Sequence, residues 1–217
     1  MSAPVWALRA AVVGVGLAGW YATQSWIARR AFPQGAIGDR VHDWTAPLNR
    51  YLRDHPSRAN ALLVATSAVI DLLGLFLVVR SIFGPSLRPF LGLAILFALR
   101  QACQGLCALP APDGMIWRDP GFPSLLVTYG TASDLFFSGH TAIAVYGSLE
   151  LARWGGPPAA AAGVAIALVE AAAVLVLRAH YTMDVFAGAV AAFVAYGAAA
   201  ALAPHADAWL AALGASV

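Results

Sequence analysis

Six long apolar stretches alternate with shorter polar connections along the 217-residue chain. Each is close to the roughly 20 residues that an apolar α-helix needs to cross a bilayer. Transmembrane helices are therefore predicted at 8–28, 59–80, 87–109, 135–152, 157–178 and 181–203. This pattern predicts an all-α, polytopic membrane protein with six transmembrane helices in one bundle and residues 1–217 in a single membrane domain. No small-x-small cleavage site precedes Arg29-Arg30, so the first stretch is expected to be an uncleaved span.

The connection after the first stretch has a different, amphipathic pattern. Its apolar residues recur at spacings of three and four, at Ile37, Val41, Trp44, Leu48 and Leu52. This spacing predicts an interfacial helix, interrupted near Pro47, that lies at the level of the lipid headgroups. Sealing the bundle is the expected role of this helix, and gating of substrate is the alternative.

The composition agrees with a membrane protein and limits the chemistry. Hydrophobic residues make up 60% of the chain and charged residues 11%, whereas soluble domains carry roughly a quarter charged residues. The chain has no lysine, so a cationic contact to phosphate must come from an arginine guanidinium, which can bind two oxygens at once. A net charge of +2, without a basic tail, predicts no nucleic-acid partner. The expected partners are the lipid bilayer and a membrane lipid substrate.

The two cysteines, Cys103 and Cys107, stand four residues apart in an apolar stretch. A metal site would need two further ligands, so small residues at a helix interface are the favoured interpretation. We expect no metal and no other cofactor.

Three ionisable residues, Asp71, Arg100 and Glu170, interrupt the apolar stretches. Charge is costly inside a membrane and usually faces the bundle interior. At 1.5 Å per residue, Arg100 and Glu170 lie roughly 12–14 Å from the same surface. We therefore predict that these two side chains face each other.

The connection from Pro110 to Ser133 is rich in proline and contains Trp117 and Tyr129. Proline restricts the backbone, and Trp and Tyr suit a membrane interface. This segment is predicted to form a structured lid.

Two histidines are placed at helix ends on one predicted face of the membrane. His140 follows Ser138 and Gly139 early in the fourth stretch, and His180 opens the sixth. Asp184 follows His180 by four residues, so a helix would put the carboxylate beside one ring nitrogen and leave the other as a base or nucleophile.

The surroundings of His140 suit a phosphate. The Ser138-Gly139 step allows backbone N–H groups and a hydroxyl to approach the phosphate, and the helix N-terminus favours anions. Asp134 is expected to cap this helix or to tune the site. His140 can protonate a departing alkoxide after His180 attacks phosphorus, which predicts phosphoryl chemistry.

The segments from Asp134 to Thr141 (DLFFSGHT) and from His180 to Asp184 (HYTMD) resemble paired signatures of a known group. They are similar to those of the sphingomyelin synthase-like branch of the type 2 phosphatidic acid phosphatase superfamily. Arg100 to Pro112 also resembles a preceding block of that branch, so the likeness covers roughly residues 100–190, the expected catalytic core.

The resemblance implies a phosphohistidine on His180, with Asp184 as its partner and His140 as the acid for the leaving group. Asp134 matches an acidic position upstream of the first histidine. The resemblance also implies a six-span fold, metal-independent chemistry and a lipid that enters sideways from the membrane.

The chain departs from the wider phosphatase pattern at three places. That pattern has proline where Phe137 stands, a lysine-containing block that this chain lacks, and an arginine where Val174 stands. The phosphate-binding cation is therefore open among Arg100, Arg118 and Arg178.

The expected function is that of a lipid phosphatase or phosphotransferase, because hydrolysis and transfer would use the same histidines. The donor is open among phosphatidate, a phosphosphingolipid, an isoprenoid phosphate and a diacyl phospholipid. The alternative is a catalytically inactive membrane scaffold or transporter of the same fold, in which Asp71 and Glu170 would form a relay.

Two lines of reasoning give opposite orientations of the protein in the membrane. More arginines lie on the side of the histidines than on the side of the termini, which would place the site in the cytoplasm by the positive-inside rule. The resemblance implies an outward-facing site, which we favour because several of these arginines lie among aspartates in the amphipathic connection or beside the expected phosphate site. The expected location is the plasma (inner) membrane.

Overall fold

The computed structural model describes residues 3–27, 29, 37–129 and 135–215. These residues form six α-helices: α1 (Ala3–Ile27), α2 (Arg40–Asp54), α3 (Pro56–Phe83), α4 (Arg88–Leu106), α5 (Gly139–Val176) and α6 (Thr182–Ala215). All of these helices except α2 are long and apolar enough to cross a membrane. The prediction of a helical, multi-pass integral membrane protein is confirmed.

Helix α5 covers two of the predicted spans and reverses direction between them. Gly156 has φ 66° and ψ −154°, outside the helical region, and glycine adopts a positive φ without steric cost. The hydroxyl of Ser148 donates to the carbonyl oxygen of Gly163 at 2.8 Å, although a straight helix would separate these residues by about 22 Å. The two arms, 139–155 and 157–176, therefore lie side by side. Six spans remain a prediction, because five described helices, not six, meet the length and hydropathy of a span.

Helix α2 is continuous, so the predicted interruption at Pro47 is wrong. Asn49 donates to the carbonyl oxygens of Val176 at 2.9 Å and Gly114 at 3.2 Å, and these contacts hold the helix beyond the proline. Trp44 is 73% exposed. The position of α2 at a membrane interface remains a prediction.

Helix α6 is longer than predicted, since it continues through Pro204 to Ala215. Arg9 of α1 forms an ion pair with Asp207 at 3.0 Å, and Leu210 is buried. The contacts with α1 stabilise this last part of the helix, which lies beyond the predicted span 181–203.

The candidate site lies where helix ends meet. The segment before α5 contacts the first turn of α6, because the backbone N–H of Ser138 donates to the carbonyl oxygen of Asp184 at 3.0 Å. Arg100, near the C-terminal end of α4, donates to the carbonyl oxygen of Phe137 in the same region. The fold therefore brings the two histidine motifs to one end of the bundle.

Candidate active site

His140 and His180 line the same cavity, whose volume is about 40 Å³. Arg100, Thr128 and Gly139 belong to its wall, and aromatic and aliphatic side chains form the rest. Both histidines are buried. The cavity holds water-sized groups, so a lipid headgroup requires part of the wall to move.

A backbone carbonyl orients the ring of His180. Its Nδ1 lies 2.8 Å from the carbonyl oxygen of Leu135. A carbonyl can only accept a hydrogen bond, so Nδ1 carries the proton and Nε2 keeps a lone pair. His42, which the sequence analysis did not single out, lies with its Nε2 2.9 Å from the carbonyl oxygen of His180 and donates to it. The histidine is therefore held through both its ring and its backbone.

Asp184 lies beside a ring nitrogen of His180, as the spacing predicted, but the hydrogen bond of that nitrogen goes to Leu135. Its Oδ2 lies 3.8 Å from Nδ1 of His180 and accepts a hydrogen bond from the backbone N–H of Tyr181 at 2.8 Å. An acidic residue in the first turn that reaches back to the N–H before the helix is a capping arrangement. Asp184 therefore caps α6 and faces Nδ1 of His180 without taking its hydrogen bond.

His140 has a buried Nε2 with no hydrogen-bond partner in the described part of the chain. Trp117 lies edge-on to its ring, with the ring centroids 5.3 Å apart. The Ser138 hydroxyl accepts from the N–H of Thr141 at 3.3 Å and caps α5, whereas Gly139 lines the cavity. Asp134 lies outside the described residues.

Arg100 lines the cavity, whereas the other two candidate arginines do not. Its Nε donates to the carbonyl oxygen of Phe137 at 3.2 Å, and its Nη1 donates to Gln24 at 3.3 Å. Arg178 donates to the carbonyl oxygens of Asp113 and His42 and so joins the loop after α4 to α2.

Arg118 lies on the surface, where it donates to Asn60 at 2.8 Å. Arg178 and Arg118 therefore have structural contacts elsewhere, and Arg100 is the one of the three that faces the histidines.

The predicted pairing of Arg100 with Glu170 is wrong. Glu170 is 1% exposed, and its Oε2 has no hydrogen-bond partner among the described residues. A buried ion pair forms instead between Arg88 and Glu150, at 3.1 Å. The helical rise gave the depth of Arg100 and Glu170, but equal depth does not make two side chains point toward each other.

Asp71 anchors the connection after α4. Its carboxylate accepts hydrogen bonds from the Ser124 hydroxyl at 3.0 Å and from the backbone N–H groups of Leu125 and Leu126, each at 2.8 Å. Leu126, Val127 and Thr128 line the cavity. The connection thus covers the histidines over its described part, which ends at residue 129.

Asp39 joins α2 to α6 and is a second residue that the sequence analysis did not single out. Its Oδ1 caps α2 through the backbone N–H groups of Val41 and His42. The same carboxylate accepts from the backbone N–H of Thr182 at 2.6 Å and from its hydroxyl at 2.8 Å. An aspartate before an amphipathic helix signals the first cap, whereas the contact with α6 depends on the fold.

Asp39 should therefore stabilise the protein in a pH-dependent way. Burial opposes ionisation of its carboxyl, but the hydrogen bonds from Thr182 and His42 outweigh burial and hold the pKa below its usual value. A carboxyl whose pKa is lower in the folded state than in the unfolded state stabilises the protein at pH values above the unfolded-state pKa of about 3.9. This stabilisation is lost as the pH falls through the folded-state pKa. Asp39→Asn is expected to cost about 1 kcal/mol at neutral pH.

Thermal unfolding in detergent at pH 7 and at about pH 3 would measure this cost. The gap between wild type and Asp39→Asn should narrow in acid. Asp43→Asn is the matched control, because the Asp43 side chain is 71% exposed. A gap of equal size at both pH values would contradict the assignment.

The comparisons with curated proteins and with solved structures give no match. A family model, AtPDCT1/2, matches residues 39–201. This range contains Asp39, Arg100 and both histidine motifs. The match corrects the resemblance to the sphingomyelin synthase-like branch, because the family that matches is described as phosphatidylcholine:diacylglycerol cholinephosphotransferase-like. The chain therefore belongs to the AtPDCT1/2 family of lipid-modifying transferases.

Proposed function

We propose that this protein transfers a phosphocholine headgroup from phosphatidylcholine to the hydroxyl of a diacylglycerol, through a phosphohistidine on His180. The family supports the substrate class. The arrangement of His140, His180 and Arg100 around one cavity supports the chemistry. Residues 100–190 form the catalytic core of this proposal, with Gly139 at the phosphate.

The first step is attack on the donor. The lone pair of His180 Nε2 forms a bond to phosphorus, and the bond between phosphorus and the glycerol oxygen breaks. His140, in its acid form beside the anionic phosphate, gives its proton to the departing alkoxide. Arg100 stabilises the negative charge on the other phosphate oxygens. The products of this step are a diacylglycerol and phosphocholine on His180.

The second step reverses these roles with a different lipid. The hydroxyl oxygen of the acceptor attacks phosphorus, and the bond to Nε2 breaks. His140 takes the proton of that hydroxyl, which restores both histidines. A diacylglycerol acceptor leads to transfer, whereas water would lead to hydrolysis.

The observation that carries this proposal is the hydrogen bond between His180 Nδ1 and the carbonyl oxygen of Leu135. It leaves Nε2 as the nucleophilic nitrogen, in a ring that is only 6% exposed. A fixed ring lowers the entropic cost of attack.

Since the nucleophile is an imidazole, no metal-activated water is required, and turnover is expected to persist in EDTA.

The decisive experiment supplies purified protein with phosphatidylcholine and a diacylglycerol whose acyl chains differ in mass. Transfer should produce phosphatidylcholine with the acceptor's chains, detected by mass spectrometry. Release of free phosphocholine alone would show hydrolysis and contradict transfer. The same assay with phosphatidylethanolamine, phosphatidylglycerol or phosphatidate as the donor tests whether the enzyme selects a choline headgroup. Faster turnover of one of these three lipids than of phosphatidylcholine would contradict that selectivity.

We also propose that the protein resides in the plasma (inner) membrane with its histidine site facing outward. Two arginines on the side of the histidines support this orientation, because they have contacts within the protein: Arg178 with Asp113 and His42, and Arg118 with Asn60. A membrane-impermeant thiol reagent on intact cells tests the orientation, with single cysteine probes at Asp113 and Gly155 in a Cys103- and Cys107-free background. Labelling at Gly155 but not at Asp113 would show that the histidine site faces the cytoplasm and would contradict the proposed orientation.

A further inference from the structure

An apolar groove of about 320 Å³ lies between α1 and α4. Gly16 and Phe90 line one part of it, and Thr23 and Gln101 line another. Seven residues of α1 separate Gly16 from Thr23, which corresponds to about 10 Å along the helix. Both helices have the length and hydropathy of membrane spans, so the groove is placed where lipid chains can reach it.

The groove adjoins the histidine cavity. Trp20 and Phe97 line both. Their rings stack at 4.8 Å, with 17° between the planes. One pair of aromatic rings therefore forms the wall between the groove and the catalytic residues.

The polarity of the groove changes along its length. At the end near the cavity, Gln101 donates to Gln24 at 3.0 Å, and Gln24 also accepts from Arg100. The opposite end, at Gly16 and Phe90, is apolar. This gradient matches a lipid whose phosphate lies near Arg100 and whose chain extends toward Phe90.

Trp20 provides an independent indication of a ligand. Its side chain is 6% exposed, and its Nε1 has no hydrogen-bond acceptor in the part of the chain that the structure describes. A buried N–H without an acceptor is costly. An ester carbonyl or phosphate oxygen of a bound lipid would remove that cost.

We propose that this groove binds an acyl chain of the glycerolipid substrate and that the Trp20 N–H binds an oxygen at the head of that chain. This assignment rests on the proposed function, since it takes the molecule in the histidine cavity to be a diacyl lipid. The stacked rings of Trp20 and Phe97 must separate to admit the glycerol region, which explains why the closed cavity is small.

Two glycines of α1 offer a matched test. A Cβ added at Gly19 or at Gly14 meets no atom within 4 Å, so both positions accept a larger side chain. Gly19 lines the groove, whereas Gly14 does not. Gly19→Leu should therefore fill the groove, and Gly14→Leu should add the same side chain to the same helix outside it.

The kinetic experiment compares long-chain phosphatidylcholine with a water-soluble phosphocholine ester that has no acyl chain. In Gly19→Leu, the ratio of the KM for the lipid to the KM for the soluble ester should rise at least about tenfold. The ratio should stay within about twofold in Gly14→Leu. Trp20→Phe, which keeps an aromatic ring but removes the N–H, should raise the KM for the lipid about tenfold. Equal ratios in both glycine variants would overturn the proposal.

A second readout does not need turnover. Phosphatidylcholine with a photoreactive group in its acyl chain should label peptides of α1 and α4 in His180→Ala as well as in wild type. This labelling should fall in Gly19→Leu and persist in Gly14→Leu. Groove labelling without any lipid turnover would refute the proposed function and retain the groove, whereas turnover with equal labelling in the two variants would refute the groove alone.

Discussion

His180→Ala is expected to lower turnover at least about 10⁴-fold and to abolish the covalent phosphocholine adduct. The loss is large because alanine removes the atom that would form the bond to phosphorus. His140→Ala should lower turnover by about 10²- to 10⁴-fold, the range expected for removal of a general acid and base. The unfolding midpoints of both variants must be measured in parallel, because each variant removes a buried side chain.

Rapid quench with choline-labelled phosphatidylcholine would measure the adduct. A phosphohistidine is labile in acid and stable in alkali, which distinguishes it from a phosphoester on serine or threonine. His205→Ala is the matched control, because this histidine is exposed on α6. An adduct that persists in His180→Ala would assign the nucleophile to another residue, and turnover by wild type without any adduct would favour direct transfer.

Arg100→Met is expected to lower kcat/KM by about 10²- to 10³-fold, or about 2.7–4 kcal/mol of transition-state stabilisation. The reason is that Arg100 lies in the cavity wall beside Gly139 and the histidines. Arg100→Lys should recover only part of this loss, because an ammonium group keeps the charge but cannot bind two phosphate oxygens in a planar fork. Steady-state kinetics with the lipid donor would give both values.

Arg118→Met is the control for Arg100→Met, since Arg118 contacts Asn60 on the surface. Its activity should stay within about twofold of wild type. Because Arg100 also contacts Gln24 and Phe137, the unfolding midpoint must be compared in parallel. Near-normal kcat/KM in Arg100→Met, with a marked loss in Arg118→Met, would mean that Arg118 rather than Arg100 binds the phosphate.

The two histidine motifs pointed to lipid phosphoryl chemistry, but they did not identify the family correctly. The short segments around His140 and His180 contain the groups that phosphoryl transfer requires, which are a nucleophile, an acid and a backbone that can approach the phosphate closely. Related lipid transferases can meet the same needs with similar residues. The family match depends on residues 39–201 as a whole, so it decides what two short motifs could not.

The long apolar stretches of the sequence predicted helices that can cross a membrane, and the break between the stretches 135–152 and 157–178 predicted where the chain reverses. Ser138 stands at the N-cap of α5, and the glycine and prolines at 156–158 mark the reversal of the chain. These features depend on local backbone conformation and on burial in lipid. Both factors restrict which residue types are found at a position, so both can be recognised from the sequence.

Tertiary structure decided which groups meet around the site. Arg100 contacts Gln24 rather than Glu170, because helix packing sets the direction of a side chain and the helical rise sets only its depth. His180 is oriented by the carbonyl oxygen of Leu135, and Arg178 binds the carbonyl oxygen of Asp113. Every residue carries such a carbonyl, so no pattern of side chains in the sequence reveals which one will lie beside a histidine or an arginine.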